Sequence, residues 1–223
     1  MCSNDQTATI EWREGGVPVS TRFDDPYFSL NDGLAETGHV FLAGNDLPAR
    51  LRPGFSIAEL GFGTGLNLLA TALICPNDCP ISYTSFEAYP MQADDIARAL
   101  ELFAQTAPIA APFLAAWRAG LREFTLGPIA VQVIIGDAQD TLPNWHGRAD
   151  AWYLDGFSPA KNPQLWSAEL MGEVARHTAP RGTFATYTAA GHVRRALGEA
   201  GFDVARVAGY WRKRHMSKGA LRA

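Results

Sequence analysis

From residue 55 onward, short apolar runs alternate with longer stretches whose apolar residues recur at helical spacing. Short, nearly continuous apolar runs predict buried strands, and amphipathic stretches predict the helices that cover them. The predicted strands are residues 55–60, 82–88, 129–136, 151–155 and 182–188. The predicted helices are residues 65–74, 94–106, 113–124, 163–178 and 191–201. This alternation predicts a mostly parallel α/β sheet with helices on both faces.

The two ends of the chain depart from this alternation. Residues 1–54 are rich in Gly, Pro, Asp and Asn, and they predict short strands near 17–22 and a helix near 32–43. Near the other end, "DVARVAG" and "HMSKGALRA" are strand candidates that would pair antiparallel at one sheet edge. We therefore predict a Rossmann-like sheet of seven strands over residues 55–223, as a single compact unit. Residues 1–54 are predicted to form an N-terminal extension packed on that core.

Composition limits the class of protein. The 223 residues are 47% hydrophobic, which suits one domain with a sizeable core. No apolar run approaches the ~20 residues of a membrane span. The polar N-terminus does not resemble a signal peptide, so we expect a cytoplasmic protein with no membrane partner. Cys2, Cys75 and Cys79 make a poor disulfide framework, and the five scattered histidines show no metal-ligand spacing, so no metal is expected.

The net charge of −4 conceals an uneven distribution. Residues 1–160 contain 8 Lys/Arg and 19 Asp/Glu, whereas residues 161–223 contain 11 and 4. Attraction to phosphate depends on the local surface, so a nucleic-acid partner remains compatible with an acidic total. A solvated basic tail would explain the same charges equally well.

A glycine-rich segment, "ELGFGTGLN", follows the first predicted core strand. Dinucleotide sites use G-x-G-x-x-G, in which a pyrophosphate sits at the helix N-terminus. Here Gly61, Gly63 and Gly65 are evenly spaced, and Glu59 precedes them, where its carboxylate would repel a pyrophosphate and attract an ammonium group. The pattern therefore favours S-adenosyl-L-methionine, whose amino-acid part carries an ammonium, over NAD.

Acidic residues also follow the next three predicted strands. Glu87 is placed to bind both ribose hydroxyls of a nucleotide, and Asp137 with Ala138 to hold an adenine amine. Asp155 ends the strand "AWYLD" and precedes a rigid, proline-containing loop. A carboxylate in that position could orient an amine toward a methyl donor and assist its deprotonation. Solvated glutamate, an Asx turn and a helix cap are the structural alternatives for the three positions.

Six segments together resemble a known family. They are "FDDPYFSLNDGLAETGHVFLAGNDLP", "AELGFGTGLN", "FEAYP", "AWYLDGFSPAKNPQLW", "TFATYTAAGHVRRAL" and "GYWRKRHMSKGAL". In this order they resemble the methyltransferase domain of the bacterial tRNA 5-methylaminomethyl-2-thiouridine biosynthesis family. The resemblance implies an S-adenosyl-L-methionine-dependent methyltransferase fold that methylates 5-aminomethyl-2-thiouridine at the wobble position of tRNA. The chain resembles either a stand-alone methyltransferase or a domain excised from a longer fusion protein. No FAD is expected in this chain, and a separate FAD-dependent oxidase or another enzyme would supply the aminomethyl precursor.

The resemblance also assigns roles to individual residues. It implies that Glu59, the three loop glycines and Asn67 line the methionine part of the donor, with Glu87, Asp137 and Ala138 as above. By matching segments, the resemblance also implies that Tyr27 and Phe28 close over the donor. It implies that Asp155 is the catalytic residue and lies beside both the donor and the amine. The residues implied to contact the substrate are Gly156, Phe157, Lys161, Arg212, Lys213 and Arg214.

Two other functions remain open from the residues alone. The first three strand ends would look the same in a methyltransferase that acts on a small-molecule or protein amine. The third hypothesis is an NAD-dependent oxidoreductase or a catalytically silent adaptor on the same fold. The glycine spacing and Glu59 argue against NAD.

Overall fold

The structure is a computed structural model that describes residues 7–29 and 32–223, so Cys2 lies outside the described residues. The strands are β1 (Ile10–Arg13), β2 (Val17–Ser20), β3 (Asp25–Pro26), β4 (Ser56–Leu60), β5 (Ile81–Glu87), β6 (Glu123–Leu126), β7 (Ile129–Ile135), β8 (Ala149–Leu154), β9 (Thr178–Thr186), β10 (Phe202–Ala208) and β11 (His215–Leu221). The α-helices are α1 (Gly33–Thr37), α2 (Leu66–Ile74), α3 (Ala93–Leu100), α4 (Ala107–Arg118), α5 (Ala138–Thr141), α6 (Ala168–Arg176) and α7 (Gly191–Glu199). A π-helical turn over Gly38–Leu42 continues α1.

Within the described residues, eight strands form the main sheet in the order β10-β11-β9-β8-β4-β5-β7-β6. The five strands from β9 to β7 in this order pair parallel to one another. β10 and β11 form the predicted antiparallel edge, with β11 inserted between β10 and β9. The chain leaves β4 toward β5 on one side and later returns to β8 on the other, which creates the crevice where open α/β sheets bind ligands.

The strand count differs from the predicted seven because β6 forms where the predicted helix 113–124 ends, and its first two residues overlap that helix. Helix α4 stops at Arg118, and Gly120, with a φ of 77°, adopts the left-handed conformation that commonly ends a helix. A turn at Gly127, with a φ of 58°, then reverses the chain, so that β6 pairs antiparallel with β7. The eighth strand is therefore an edge strand created by a local reversal.

Other element boundaries also shifted from the sequence-based prediction. Helix α3 ends at Leu100 rather than 106, and α1 with its π-helical continuation covers most of the predicted 32–43 helix. The predicted 163–178 helix becomes a 3₁₀ turn at Pro163–Trp166 followed by α6. The predicted strand 182–188 runs instead from Thr178 to Thr186.

The sheet separates two hydrophobic clusters, as alternation along its central strands requires. In β8, Ala151 and Tyr153 join the cluster beneath α2 and α4, whereas Trp152 and Leu154 join the cluster beneath α6 and α7. All four side chains are completely buried. This double-sided burial explains why the run "AWYL" is continuously apolar.

The segment after α1 packs closely on the core. Val40 and Phe41 belong to the same hydrophobic cluster as Tyr153. The Asn45 side chain donates to the carbonyl oxygen of Trp152 at 3.2 Å and accepts from the Thr183 hydroxyl at 2.6 Å. These contacts anchor the segment that follows α1 on the central strands. The domain boundary at residue 54 stays a prediction.

Among the described residues, no single helix is both long and apolar enough to cross a membrane; the helices over Ala93–Leu100 and Ala104–Arg118 meet that measure only jointly, across a bend of 117°.

Candidate functional site

A cavity of about 680 Å³ opens at the carboxyl ends of β4, β5, β7 and β8. This volume lies in the range of pockets that hold small ligands. Most of the site residues predicted from the sequence line it: Tyr27, Phe28, Gly61, Gly63, Asn67, Glu87, Asp137, Ala138, Asp155, Gly156, Phe157 and Lys213. The topology of a parallel sheet thus brings together residues that are distant in the sequence.

The three glycines of the glycine loop have two different structural roles. All three have a positive φ, of 83° at Gly61, 54° at Gly63 and 74° at Gly65. A Cβ at Gly61 would lie 3.1 Å from the Cα of Gly156, so this glycine lets two backbone segments approach each other on the cavity wall. A Cβ at Gly65 would lie 2.9 Å from the Phe113 ring, so Gly65 is needed for packing behind the wall.

Glu59 also lies behind the cavity wall. From its charge we predicted that it would face the ammonium group of the ligand, and the structure places it elsewhere. Its side chain is completely buried, one carboxyl oxygen accepts from the Asn67 amide at 2.8 Å, and the other accepts from the Ser85 hydroxyl at 2.7 Å. Burial raises the pKa of Glu59 to about 8, although these hydrogen bonds oppose the rise. This buried carboxyl group supports Asn67 and does not line the cavity.

Asn67 joins the two carboxyl groups of the site. Its Nδ2 donates to Glu59 at 2.8 Å and to Oδ2 of Asp155 at 2.8 Å. Its Oδ1 accepts from the Thr37 hydroxyl at 2.8 Å, which connects the pair to α1. Because both carboxyl groups are placed as acceptors and Thr37 as a donor, the amide orientation is fully determined.

Asp155 is the carboxyl group that faces the cavity. Its Oδ1 accepts from the backbone N–H of Gly156 at 2.8 Å. Burial raises the pKa of Asp155 to about 6, against the lowering effect of Gly156, Asn67 and the positive charge of Lys213. The negative charge of Glu36 acts in the same direction as burial. Asp155 is therefore mainly ionised at neutral pH and accepts a proton more readily than an ordinary aspartate.

Glu87 connects two loops at the cavity wall. One carboxyl oxygen accepts from the N–H of Gly63 at 2.9 Å, and the other accepts from the N–H of Tyr89 at 2.8 Å. Burial raises its pKa, and these backbone N–H groups oppose the rise. Each oxygen keeps further acceptor capacity, which is what two ribose hydroxyls would need.

Asp137 has a demonstrable structural role at the start of α5. Its Oδ1 accepts from the N–H of Gln139 at 2.9 Å, so it caps the helix. The neighbouring Ala138 is buried at the cavity wall.

Aromatic side chains form the side of the cavity nearest the N-terminal segment. Phe157 stacks on Phe23 with ring centroids 4.7 Å apart, and Tyr27 meets Phe157 edge-on at 5.1 Å. Phe28 meets Phe103 edge-on at 5.0 Å. The loop after β8 is thus held against the segment that contains Tyr27.

Three predicted substrate-binding cations lie outside the cavity wall. Lys161 forms an ion pair with Asp24 at 2.9 Å, which ties its loop to the N-terminal segment. The guanidinium of Arg212 lies 4.3 Å above the ring of Trp211, an exposed residue at the cavity. Arg214 is exposed on the same turn between β10 and β11.

Glu36, Thr37 and Tyr187 line the cavity and were not predicted as site residues. Tyr187 donates its hydroxyl to the carbonyl oxygen of Gly156 at 2.8 Å. Glu36 forms an ion pair with Lys213 at 2.8 Å. The segments "LAETG" and "TFATYT", which carry part of the family resemblance, contain these residues and were the available signal.

Sequence comparison places this geometry in a family. A family profile described as S-adenosyl-L-methionine-dependent methyltransferase matches residues 104–222, which is more than half of the chain. The chain belongs to this family. The predicted dependence of the enzyme on S-adenosyl-L-methionine is confirmed, and the glycine loop and cavity of this methyltransferase suit such a donor.

Individual relatives agree with this assignment. The tRNA 5-methylaminomethyl-2-thiouridine biosynthesis bifunctional protein MnmC of Pseudomonas paraeruginosa is 43% identical over 231 residues, covering 97% of this chain and 35% of the relative. The methyltransferase thus spans about a third of the length of the curated relatives it matches. The relatives carry the name that the sequence motifs suggested.

Solved structures show the same fold. The crystal structure of MNMC2 from Aquifex aeolicus matches with a TM-score of 0.79 at 22% identity, over 99% of this chain and 72% of that chain. Spermidine synthase from Thermotoga maritima matches with a TM-score of 0.57 at 10% identity, over 97% of this chain and 72% of that chain. The predicted Rossmann-like methyltransferase fold is confirmed, with eight strands in place of seven.

Proposed function

We propose that this methyltransferase transfers a methyl group to the amine of 5-aminomethyl-2-thiouridine at the wobble position of tRNA, giving 5-methylaminomethyl-2-thiouridine. The observation that carries the proposal is Asp155, a carboxyl group of raised pKa at the end of β8, held on the cavity wall by Asn67 and by the N–H of Gly156. The name of the 43% identical relative supports this acceptor over other amines.

The residues present fit the methyl donor. Gly61, Gly63 and Asn67 would hold its methionine part, Glu87 its ribose, and Asp137 with Ala138 its adenine. The loop is bare at Gly63, where an added Cβ would lie 3.3 Å from the Tyr27 ring, so backbone and aromatic ring together form a close-fitting cradle. Tyr27 and Phe28 would close over the donor from the N-terminal side.

The chemistry assigned to this chain is positioning and proton transfer. S-adenosyl-L-methionine, when bound, supplies a methyl carbon that bonds to the amine nitrogen as its bond to sulfur breaks and the electron pair stays on sulfur. The acceptor reaches the site as an ammonium and must lose a proton before its nitrogen lone pair can react. Asp155 accepts that proton and holds the amine by hydrogen bonds, which fixes the direction of the lone pair.

The surface beside the cavity supports an RNA substrate. Trp211 is 59% exposed at the cavity, and the guanidinium of Arg212 lies against its ring. Exposed aromatic side chains beside arginine are suited to stack on unpaired bases, such as those of an anticodon loop. The excess of Lys/Arg in residues 161–223, with 11 against 4 Asp/Glu, adds attraction to phosphate. We include Lys161, Arg212 and Arg214 in this proposed RNA surface.

The proposal has two further parts. A separate enzyme, such as an FAD-dependent oxidase, would supply the free aminomethyl group on tRNA. The proposed tRNA substrate is also compatible with the cytoplasmic location expected from the sequence.

Methyl transfer to tRNA tests the proposal. Purified protein is incubated with labelled S-adenosyl-L-methionine and with tRNA that carries the aminomethyl nucleoside, and the nucleosides are then analysed. We expect the methylated nucleoside from the wild type, a rate at least about 100-fold lower from Asp155→Asn, and a normal rate from the exposed-loop control Asp78→Asn. Absence of transfer to this tRNA, with transfer to small or protein amines, would support the alternative methyltransferase function.

A further inference from the structure

The ammonium group of Lys213 lies between a carboxylate and an aromatic ring. Nζ of Lys213 lies 2.8 Å from Oε1 of Glu36 and 4.6 Å from the centroid of the Tyr187 ring. Glu36 belongs to α1, Tyr187 follows β9, and Lys213 lies on the turn between β10 and β11. Among the described residues, Oε1 of Glu36 is buried and has no hydrogen-bond partner, so its contact with Lys213 is a charge pair. Three separate elements thus place a carboxylate beside an aromatic face, a combination that can bind an alkylammonium.

This ammonium site is part of the same cavity as Asp155. Glu36, Tyr187 and Lys213 all line the cavity. The Tyr187 hydroxyl donates to the carbonyl oxygen of Gly156, the residue directly after Asp155, at 2.8 Å. The charges of Glu36 and Lys213 both act on Asp155, in opposite directions, as expected of neighbouring groups. An ammonium that leaves the site of Lys213 for Asp155 therefore stays within one cavity.

The two partners differ in their access to solvent. The Glu36 side chain is 11% exposed, whereas the Lys213 side chain is 47% exposed. The ammonium group of Lys213 can reach solvent, whereas Glu36 stays buried, so departure of Lys213 is unfavourable unless another cation takes its place. The end of a lysine side chain, –CH2–NH3⁺, is chemically the same group as the protonated aminomethyl group of the proposed acceptor.

We propose that Glu36 and Tyr187 bind the ammonium of the acceptor before it reaches Asp155, and that Lys213 is a resting counter-ion which the acceptor displaces. The inference rests on the proposed function, because it concerns the binding of the same amine. It changes the role of Lys213 from a contact with RNA to a competitor for the carboxylate.

Steady-state kinetics with the aminomethyl tRNA tests this inference through two variants. Glu36→Gln removes the charge that binds the cation, so we expect the KM for tRNA to rise about tenfold or more, with the KM for the methyl donor within about twofold. Lys213→Met removes the competing cation, so we expect the KM for tRNA to fall about two- to fivefold. In the double variant, Lys213→Met should have no further effect, because its target carboxylate is absent.

A matched control separates this effect from a general loss of positive charge. Lys218 lies on β11, pairs with Asp46 at 3.5 Å, and is partly exposed like Lys213. Lys218→Met should leave the KM for tRNA unchanged. A KM that rises in Lys213→Met, with a weaker dependence on salt, would assign Lys213 to RNA phosphate and overturn the inference.

The outcomes distinguish this inference from the proposed function. Absence of transfer by the wild type refutes the proposed function itself. Normal transfer by the wild type, with unchanged KM values in both variants, refutes only the role of Glu36 and Lys213. Glu36→Gln could be unfolded at the assay temperature, and Lys213→Met then tests the inference alone. The Lys213 side chain is half-exposed, so this variant should stay folded, and its KM for tRNA can be measured as lowered, unchanged or raised.

Discussion

Nδ2 of Asn67 lies 2.8 Å from Oδ2 of Asp155, and the same nitrogen lies 2.8 Å from Oε1 of Glu59. One amide therefore holds two carboxyl groups of different kinds, one facing the cavity and one completely buried. The glycine loop at the start of α2 and the end of β8 are joined through this contact. Their relative position depends on a donor at residue 67.

Asn67→Asp replaces that donor by an acceptor of almost the same shape. We expect the free energy of unfolding at neutral pH to fall by about 3 kcal/mol, because the buried acceptors of Glu59 and Asp155 lose their common partner. Urea unfolding measures this loss, and calorimetric titration should show weaker donor binding. Part of the stability should return at pH 5, where carboxyl groups gain protons. Asn77→Asp, at an exposed position, is the control. An equal loss of stability in both variants would show that the hydrogen bonds of Asn67 to Glu59 and Asp155 are unimportant.

Glu59 makes the stability of the fold depend on pH. Its pKa of about 8 in the folded protein exceeds its ordinary value of 4.5, so the folded state binds this proton more tightly than the unfolded state. Stability should therefore fall as pH rises from about 4.5 to about 8, with a slope approaching 1.4 kcal/mol per pH unit. Asp155, with a pKa of about 6, acts in the same direction over a lower range.

Glu59→Gln tests this dependence because it keeps the shape of the side chain and removes the proton equilibrium. We expect a smaller loss of stability between pH 5 and pH 8 than in the wild type, measured by urea unfolding at each pH. Glu123→Gln, at an exposed position of β6, should retain the wild-type dependence. Parallel pH curves for Glu59→Gln and the wild type would show that Glu59 titrates normally.

Glu87→Gln tests the proposed ribose site. The substitution places an NH2 group opposite the N–H of either Gly63 or Tyr89, and it removes the charge that strengthens hydrogen bonds to hydroxyls. We expect the dissociation constant for S-adenosyl-L-methionine to rise about 10- to 100-fold. Isothermal titration measures it, with Glu123→Gln as the control. An unchanged dissociation constant would exclude Glu87 from donor binding.

Gly61→Ala tests the close approach of the glycine loop to the loop after β8. Gly61 and Gly54 have similar φ values of 83° and 79°, but only at Gly61 would an added Cβ meet backbone, at 3.1 Å, whereas it would meet nothing within 4 Å at Gly54. Both alanine variants lose stability through backbone strain. Gly61→Ala should lose about 1–3 kcal/mol more in urea unfolding and also lose methyl transfer. Equal losses would show that contact with Gly156 is unimportant.

The sequence predicts the strand-end residues because parallel strands place their carboxyl ends at one edge. Glu87, Asp137 and Asp155 could therefore be assigned to one cavity from the sequence, whereas Asn67, which lies in α2, was assigned to it only through the family resemblance. Glu59 could not be placed correctly by the same reasoning, since its predicted attraction to an ammonium assumed an accessible charge. Its burial depends on how α2 and Ser85 pack around it, and this has no signature in the local sequence.

The strand β6 and the contact between Glu36 and Lys213 could not be predicted from the sequence, unlike the antiparallel pair of β10 and β11. The four residues of β6 adjoin a helical segment and become a strand only because the turn at Gly127 lays them against β7. The contact between Glu36 and Lys213 joins the first helix to the last hairpin. Neither periodicity nor spacing predicts such a contact, which follows from the order of strands in the finished sheet.

That order has a consequence for synthesis of the chain on the ribosome. Since β11 lies between β9 and β10, a nascent chain that has emerged only as far as residue 208 leaves the edge of β9 unpaired. The turn bearing Lys213 and Trp211 emerges afterwards, together with the strand that closes this gap. The end of the cavity that includes Lys213 is therefore completed only after β11 has emerged, and until then the proposed contacts of that turn with tRNA cannot form.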